Sequence, residues 1–99
     1  MMSRLRKFEP VWSSLDGSHW VSTRSISLGT KLSPSMIAWF LRLMRLRGFV
    51  EEGRAFERFF NGRRLVRVYR RSAEAVDMLF YEVEGFVQNR WPSIVLEEP

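Results

Sequence analysis

Residues 33–51 read Ser33-Pro34-Ser35-Met36-Ile37-Ala38-Trp39-Phe40-Leu41-Arg42-Leu43-Met44-Arg45-Leu46-Arg47-Gly48-Phe49-Val50-Glu51, the stretch that constrains this chain most tightly. Ser33 is a favoured N-cap. Pro34 suits the first helical position, where its missing N–H is one that no helical carbonyl would take, and Gly48 is a favoured stop. The signals predict a helix over 34–47, with Arg45 and Arg47 complementing the carbonyl end of its dipole. Ile37, Phe40, Leu41 and Met44 follow the i, i+3, i+4, i+7 spacing of a core-facing stripe, while Ser35, Trp39, Arg42 and Leu46 occupy the opposite face.

Downstream, Arg54–Phe60 and Arg63–Arg71 flank Asn61-Gly62, a strong hairpin signal because both central residues of a type I′ turn need positive φ. Pairing about that turn sets Phe60 against Arg63, Arg58 against Leu65 and Phe56 against Arg67. Ser72 then opens a second long helical pattern, predicted over 73–90 and stopped by Pro92, with Val76, Leu79, Phe80, Val83, Phe86 and Val87 on one stripe. The tail, 92–99, has a possible short strand through Ile94, Val95 and Leu96. Upstream, Val11, Trp12 and Leu15 share a helical face over about 9–16, with Pro10 near the start and Asp16-Gly17 as the stop. Leu5 and Phe8 continue that spacing backwards, but a helix containing them would be kinked by Pro10. Ser22-Thr23 caps a further short helix, whose Ile26 and Leu28 precede a stop at Gly29.

The 99 residues suit one small soluble globular domain rather than two. With no Cys and a single His19, disulfides, thiolate nucleophiles, Cys-ligated zinc and a His-paired metal are excluded. The pairs Glu51-Glu52 and Glu97-Glu98 are adjacent residues, which point to opposite faces of a strand, so neither makes a convergent catalytic pair. No enzymatic role and no cofactor is expected. No apolar run approaches the ~18 residues of a membrane span, and the first twelve residues lack a secretory apolar stretch, so the expected location is the cytoplasm, with no membrane partner.

Charge is segregated. Residues 24–71 hold 12 basic side chains against Glu51, Glu52 and Glu57, a net +9, whereas residues 72–99 carry a net −5. A concentrated basic middle is the footprint of a polyanion binder. Arginine outnumbers lysine 14 to 2, and its planar fork suits phosphate and guanine.

The order of a short helix, a Ser-capped helix, a turn, the Ser33-Pro34-capped helix with its exit Gly48-Phe49-Val50-Glu51, and a basic hairpin resembles the winged helix-turn-helix domain of small transcriptional regulators. The following helix is similar to the dimerisation helix of the MarR-like and PadR-like type. The resemblance implies an α+β fold of three short helices and a two-stranded wing over 10–71, an added C-terminal helix over 72–91, and a dimeric regulator of double-stranded DNA. It implies that helix 34–47 enters the major groove through Ser35, Met36, Ala38, Trp39 and Arg42, with Arg42 forking to guanine. Arg24, Lys31, Ser33 and Ser35 would lie near phosphates, and Arg63 and Arg64 would present the wing tip, 60–64, to the backbone or minor groove. The homodimer would form through Val76, Leu79, Phe80, Val83, Phe86 and Val87. Winged folds also serve as protein-interaction modules, and the apolar face Trp39, Leu43 and Leu46 would then dock a protein partner. Binding of RNA or single strands through Phe56, Phe59, Phe60 and Tyr69 is a weaker alternative.

Overall fold

A computed structural model describes residues 4–90. Pro92 and the tail, 92–99, lie outside the described residues. The architecture is α+β, with α1 (Glu9–Ser13), β1 (Val21–Ser22), α2 (Thr23–Thr30), α3 (Pro34–Leu46), β2 (Val50–Phe59), β3 (Gly62–Arg71) and α4 (Phe80–Arg90). Short 3-10 helices occupy Arg4–Phe8 and Ala73–Ala75. Among the described residues the strands make one antiparallel sheet in the order β1-β3-β2.

α3 forms where its caps put it. The Ser33 hydroxyl accepts from the Met36 N–H at 3.3 Å, and Pro34 opens the helix. Its buried face, Ile37, Phe40, Leu41 and Met44, is joined by Leu43. Gly48 takes φ +79°, where a Cβ would be strained, and the Phe49 N–H returns to the Met44 carbonyl at 2.9 Å, which turns the chain directly into β2.

α2 is capped by Ser22, whose hydroxyl accepts from the Ser25 N–H, but it does not stop at Gly29. It runs to Thr30, and Lys31 takes the left-handed conformation at φ 64°. Side chains satisfy the carbonyls there: Thr30 Oγ1 donates to the Ile26 carbonyl and Ser27 Oγ to that of Leu32, both at 2.8 Å. Leu28 is 75% exposed.

The start of the chain resolves the conflict between Pro10 and the earlier apolar spacing. Residues 4–8 wind as a 3-10 helix, and α1 begins at Glu9, so Pro10 falls in the first turn and kinks nothing. Leu5 and Phe8 are thereby buried, with Phe8 stacked on Phe40 at a centroid distance of 4.8 Å. α1 ends at Ser13 rather than 16, and Asp16 instead organises a turn by accepting from the Ser18 and His19 N–H groups at 2.8 and 2.7 Å.

The sheet has a strand beyond the expected two. Val21 and Ser22 pair with Tyr69 and Val68, so β3 is central and Ser22 serves both as the end of a strand and as the cap of α2. The β2–β3 register also differs from expectation: Phe59 pairs with Gly62, Arg58 with Arg63 and Phe56 with Leu65. In the tip only Gly62 has positive φ, at 128°, so the two positive-φ residues of a type I′ turn at Asn61-Gly62 are absent and Phe60-Asn61 form the loop. Each strand keeps its faces under this change, but every cross-strand partner is new.

The predicted helix over 73–90 is broken. Ser72 does not cap it; its hydroxyl donates to the Gly48 carbonyl at 2.7 Å. The Arg71 guanidinium donates to the Trp12, Val76 and Met78 carbonyls at 2.8, 2.9 and 3.3 Å and lies 4.2 Å over the Trp12 ring. Trp12 Nε1 also donates to the Met78 carbonyl. α4 begins only at Phe80, where Glu82 reaches back to the Leu79 N–H at 2.8 Å as one half of a capping box. Burial lowers the Arg71 pKa from its ordinary value, with Asp16 and Asp77 opposing the shift.

The apolar stripe is divided by the same break. Phe80, Val83 and Val87 pack into the chain's own core, so this structure withholds them from a second copy, while Val76, Leu79 and Phe86 remain at the surface. No helix among the described residues is long and apolar enough to cross a membrane.

Candidate nucleic-acid interface

Side chains alternate along β2 and β3, and the register decides which ones meet. Arg54 pairs with Arg67, Phe56 with Leu65 and Arg58 with Arg63, all on one face of the hairpin, here the outer face. All six are exposed, Phe56 at 69% and Leu65 at 53%. On the inner face Ala55, Glu57, Phe59 and Val66 are half-buried. Arg24 from α2 rests on that face, 3.5 Å from Glu57 and 4.9 Å from the Phe59 centroid. Nearer the root, Gly53 lies against the Trp20 ring, which an added Cβ would meet at 3.1 Å, and Arg70 stacks on the same ring at 4.2 Å.

The hairpin's carboxylates are paired elsewhere. Glu51 accepts from Arg70 and Glu52 from Arg45, each at 2.9 Å, and Glu57 faces Arg24. Glu52 also bonds Tyr69, whose pKa is raised first by burial and then by that carboxylate. Arg54, Arg58, Arg63 and Arg67 make no ion pair among the described residues. The Arg45–Glu52 pair ties the last turn of α3 to the root of the outer face, so the two surfaces adjoin.

The residues expected at the interface are distributed unevenly. Arg42 is exposed on α3 with no ion pair among the described residues, and Ser35 and Lys31 are exposed. The Ser33 hydroxyl is engaged by its cap and lies 3.3 Å from that of Ser35. Met36, Ala38 and Trp39 are half-buried; Met36 and Trp39 pack on the core, Trp39 at 5.5 Å from Phe8. Trp39 is thus a packing residue rather than a free reader of bases. Of the apolar face Trp39, Leu43 and Leu46, Leu43 is buried, Trp39 half-buried against Phe8 and Leu46 67% exposed. Arg24 is turned onto the hairpin. Arg63 and Arg64 do not act as a tip pair, because Arg63 lies over Phe56 on the outer face and Arg64 over Phe59 on the inner one.

Sequence reasoning did not single out Arg54, Arg58, Arg67 and Leu65 as interface residues, and named Phe56 as one only in the single-strand alternative. Their signal was present as period-two spacing, Arg-x-Phe-x-Arg before the turn and Arg-x-Leu-x-Arg after it. No family model, curated protein or solved structure matches this chain.

Proposed function

We propose that residues 10–71 form a winged helix-turn-helix unit that binds duplex DNA sequence-specifically, as a transcriptional regulator in the cytoplasm. The observation that carries this reading is the junction of two cationic surfaces: the exposed side of α3 with Arg42, and the outer face of the hairpin with four arginines that make no ion pair among the described residues. α3 would enter the major groove with Arg42 at a guanine edge and Ser35 and Lys31 near phosphates, while the hairpin lies on a neighbouring groove. A homodimer would have Val76, Leu79 and Phe86 to work with, the half of the stripe left outside the core. Titration of the purified chain onto duplex DNA, single strands and RNA over a salt series tests the function. Duplex preference with a log-log salt slope of about −0.9 per neutralised phosphate is expected. Salt-independent binding, or preference for RNA, would overturn it.

A further inference from the structure

Like charges placed directly opposite each other weaken an antiparallel pair, yet the outer face has two such pairs, Arg54 with Arg67 and Arg58 with Arg63. Between them lie Phe56 and Leu65, more than half exposed although the chain has a core to put them in. Alternation does not force this, because the inner face of the same strands is half-buried against α2 and Trp20. A surface of two cationic rows with an apolar row between them fits an occupant with the converse pattern: two anionic rows separated by a less polar strip.

The dimensions narrow that occupant. Four residues along a strand span about 13 Å, so the arginine rows are that far apart, with the apolar row about 6.6 Å from each. A duplex minor groove is about 6 Å wide, and adding a phosphate radius of roughly 3 Å on each side puts its phosphate rows about 12 Å apart. A major groove, about 12 Å wide before the phosphates are added, sets its rows roughly 18 Å apart, a poorer match to the arginine rows.

We propose that the outer face of the hairpin straddles a minor groove, with Arg54 and Arg67 on one phosphate row and Arg58 and Arg63 on the other. Phe56 and Leu65 then press as a wedge between base steps and bend the duplex. Apolar side chains placed in this way unstack a step and kink DNA by about 20–90°. This deepens the duplex-binding reading and rests on it.

Bend angle is measured on circularly permuted duplex fragments carrying a site selected from random sequence, and affinity on the same fragments. Wild-type chain should bend them by at least about 20°. Phe56→Ala with Leu65→Ala, both exposed and so of small cost to folding, should bind within tenfold of wild type with the same salt slope and lose the bend. Arg54→Gln with Arg67→Gln should lower the magnitude of the slope by up to about 1.8, for two phosphates. Duplex binding without a bend, or a bend that survives the apolar double variant, overturns the wedge and leaves the duplex reading standing. Failure to bind duplex at all, or tighter binding to single strands that is lost with Phe56, overturns both.

Discussion

Replacing Arg71 with Met keeps a stem of similar length and removes the guanidinium that joins β3, α1 and the segment before α4. Of its three carbonyl partners, that of Val76 is exposed and would turn to water, and that of Met78 keeps the Trp12 indole at 2.8 Å. The Trp12 carbonyl, 2.8 Å away and part-buried, loses its donor. A hydrogen bond from a charged donor is worth about 1.5–3 kcal/mol. The stacking of the cation 4.2 Å over Trp12 adds about 0.5–1 kcal/mol at this partial burial. Together they predict a loss of about 2–4 kcal/mol, or roughly 10–25 °C in Tm for a chain of this size. Urea unfolding followed by far-ultraviolet circular dichroism and by tryptophan emission measures it. Arg71→Lys keeps the charge but has no planar fork to hold separate carbonyls, so it should recover less than half of the loss. A loss below about 1 kcal/mol for Met, or full recovery by Lys, would refute the view that this fork holds β3, α1 and the segment before α4 together.

Phe8→Ala should cost about 3–5 kcal/mol, because the ring is fully buried and stacked on Phe40, and an unfolding curve close to wild type would place residues 4–8 outside the core. Arg42→Ala should cost about 1–3 kcal/mol on a selected duplex site and much less on random duplex, as measured by parallel titrations; equal losses on both would remove its role at base edges. Hydrogen bonds from His19, through its side chain first, and from the Ser18 N–H lower the Asp16 pKa from 3.8 to about 2. Asp16 therefore contributes stability above its unfolded pKa that fades as pH falls from about 4 towards 2, and a carboxyl carbon-13 titration with its midpoint near 4 would contradict this. Leu79→Asp should not lower stability, since the side chain is 59% exposed and Asp is favoured at the N-cap of α4, and should abolish any self-association seen by sedimentation; unchanged association would exclude this patch as the contact.

Sequence alone determined the elements whose signals are local. The Ser33 cap, Pro34 and Gly48 delimit α3 because cap hydrogen bonds, a fixed φ and a positive φ are properties of one or two residues. Ser22 marked the start of α2 in the same way, and the basic middle segment followed from counting. What the tertiary structure decided were the competitions between distant groups. Arg71 and Trp12 donate to the Val76 and Met78 carbonyls at the point where a helix over 73–90 is broken, and Phe80, Val83 and Val87 of the shortened α4 face the core. Phe8 claimed Trp39, which removed it from the exposed face of α3. At the hairpin, a tip with one positive-φ residue instead of two displaced the pairing by two positions and set arginine against arginine. Alternation fixes the face a strand residue occupies, but only the closed turn fixes the residue it meets, and on that meeting the cationic outer face depends.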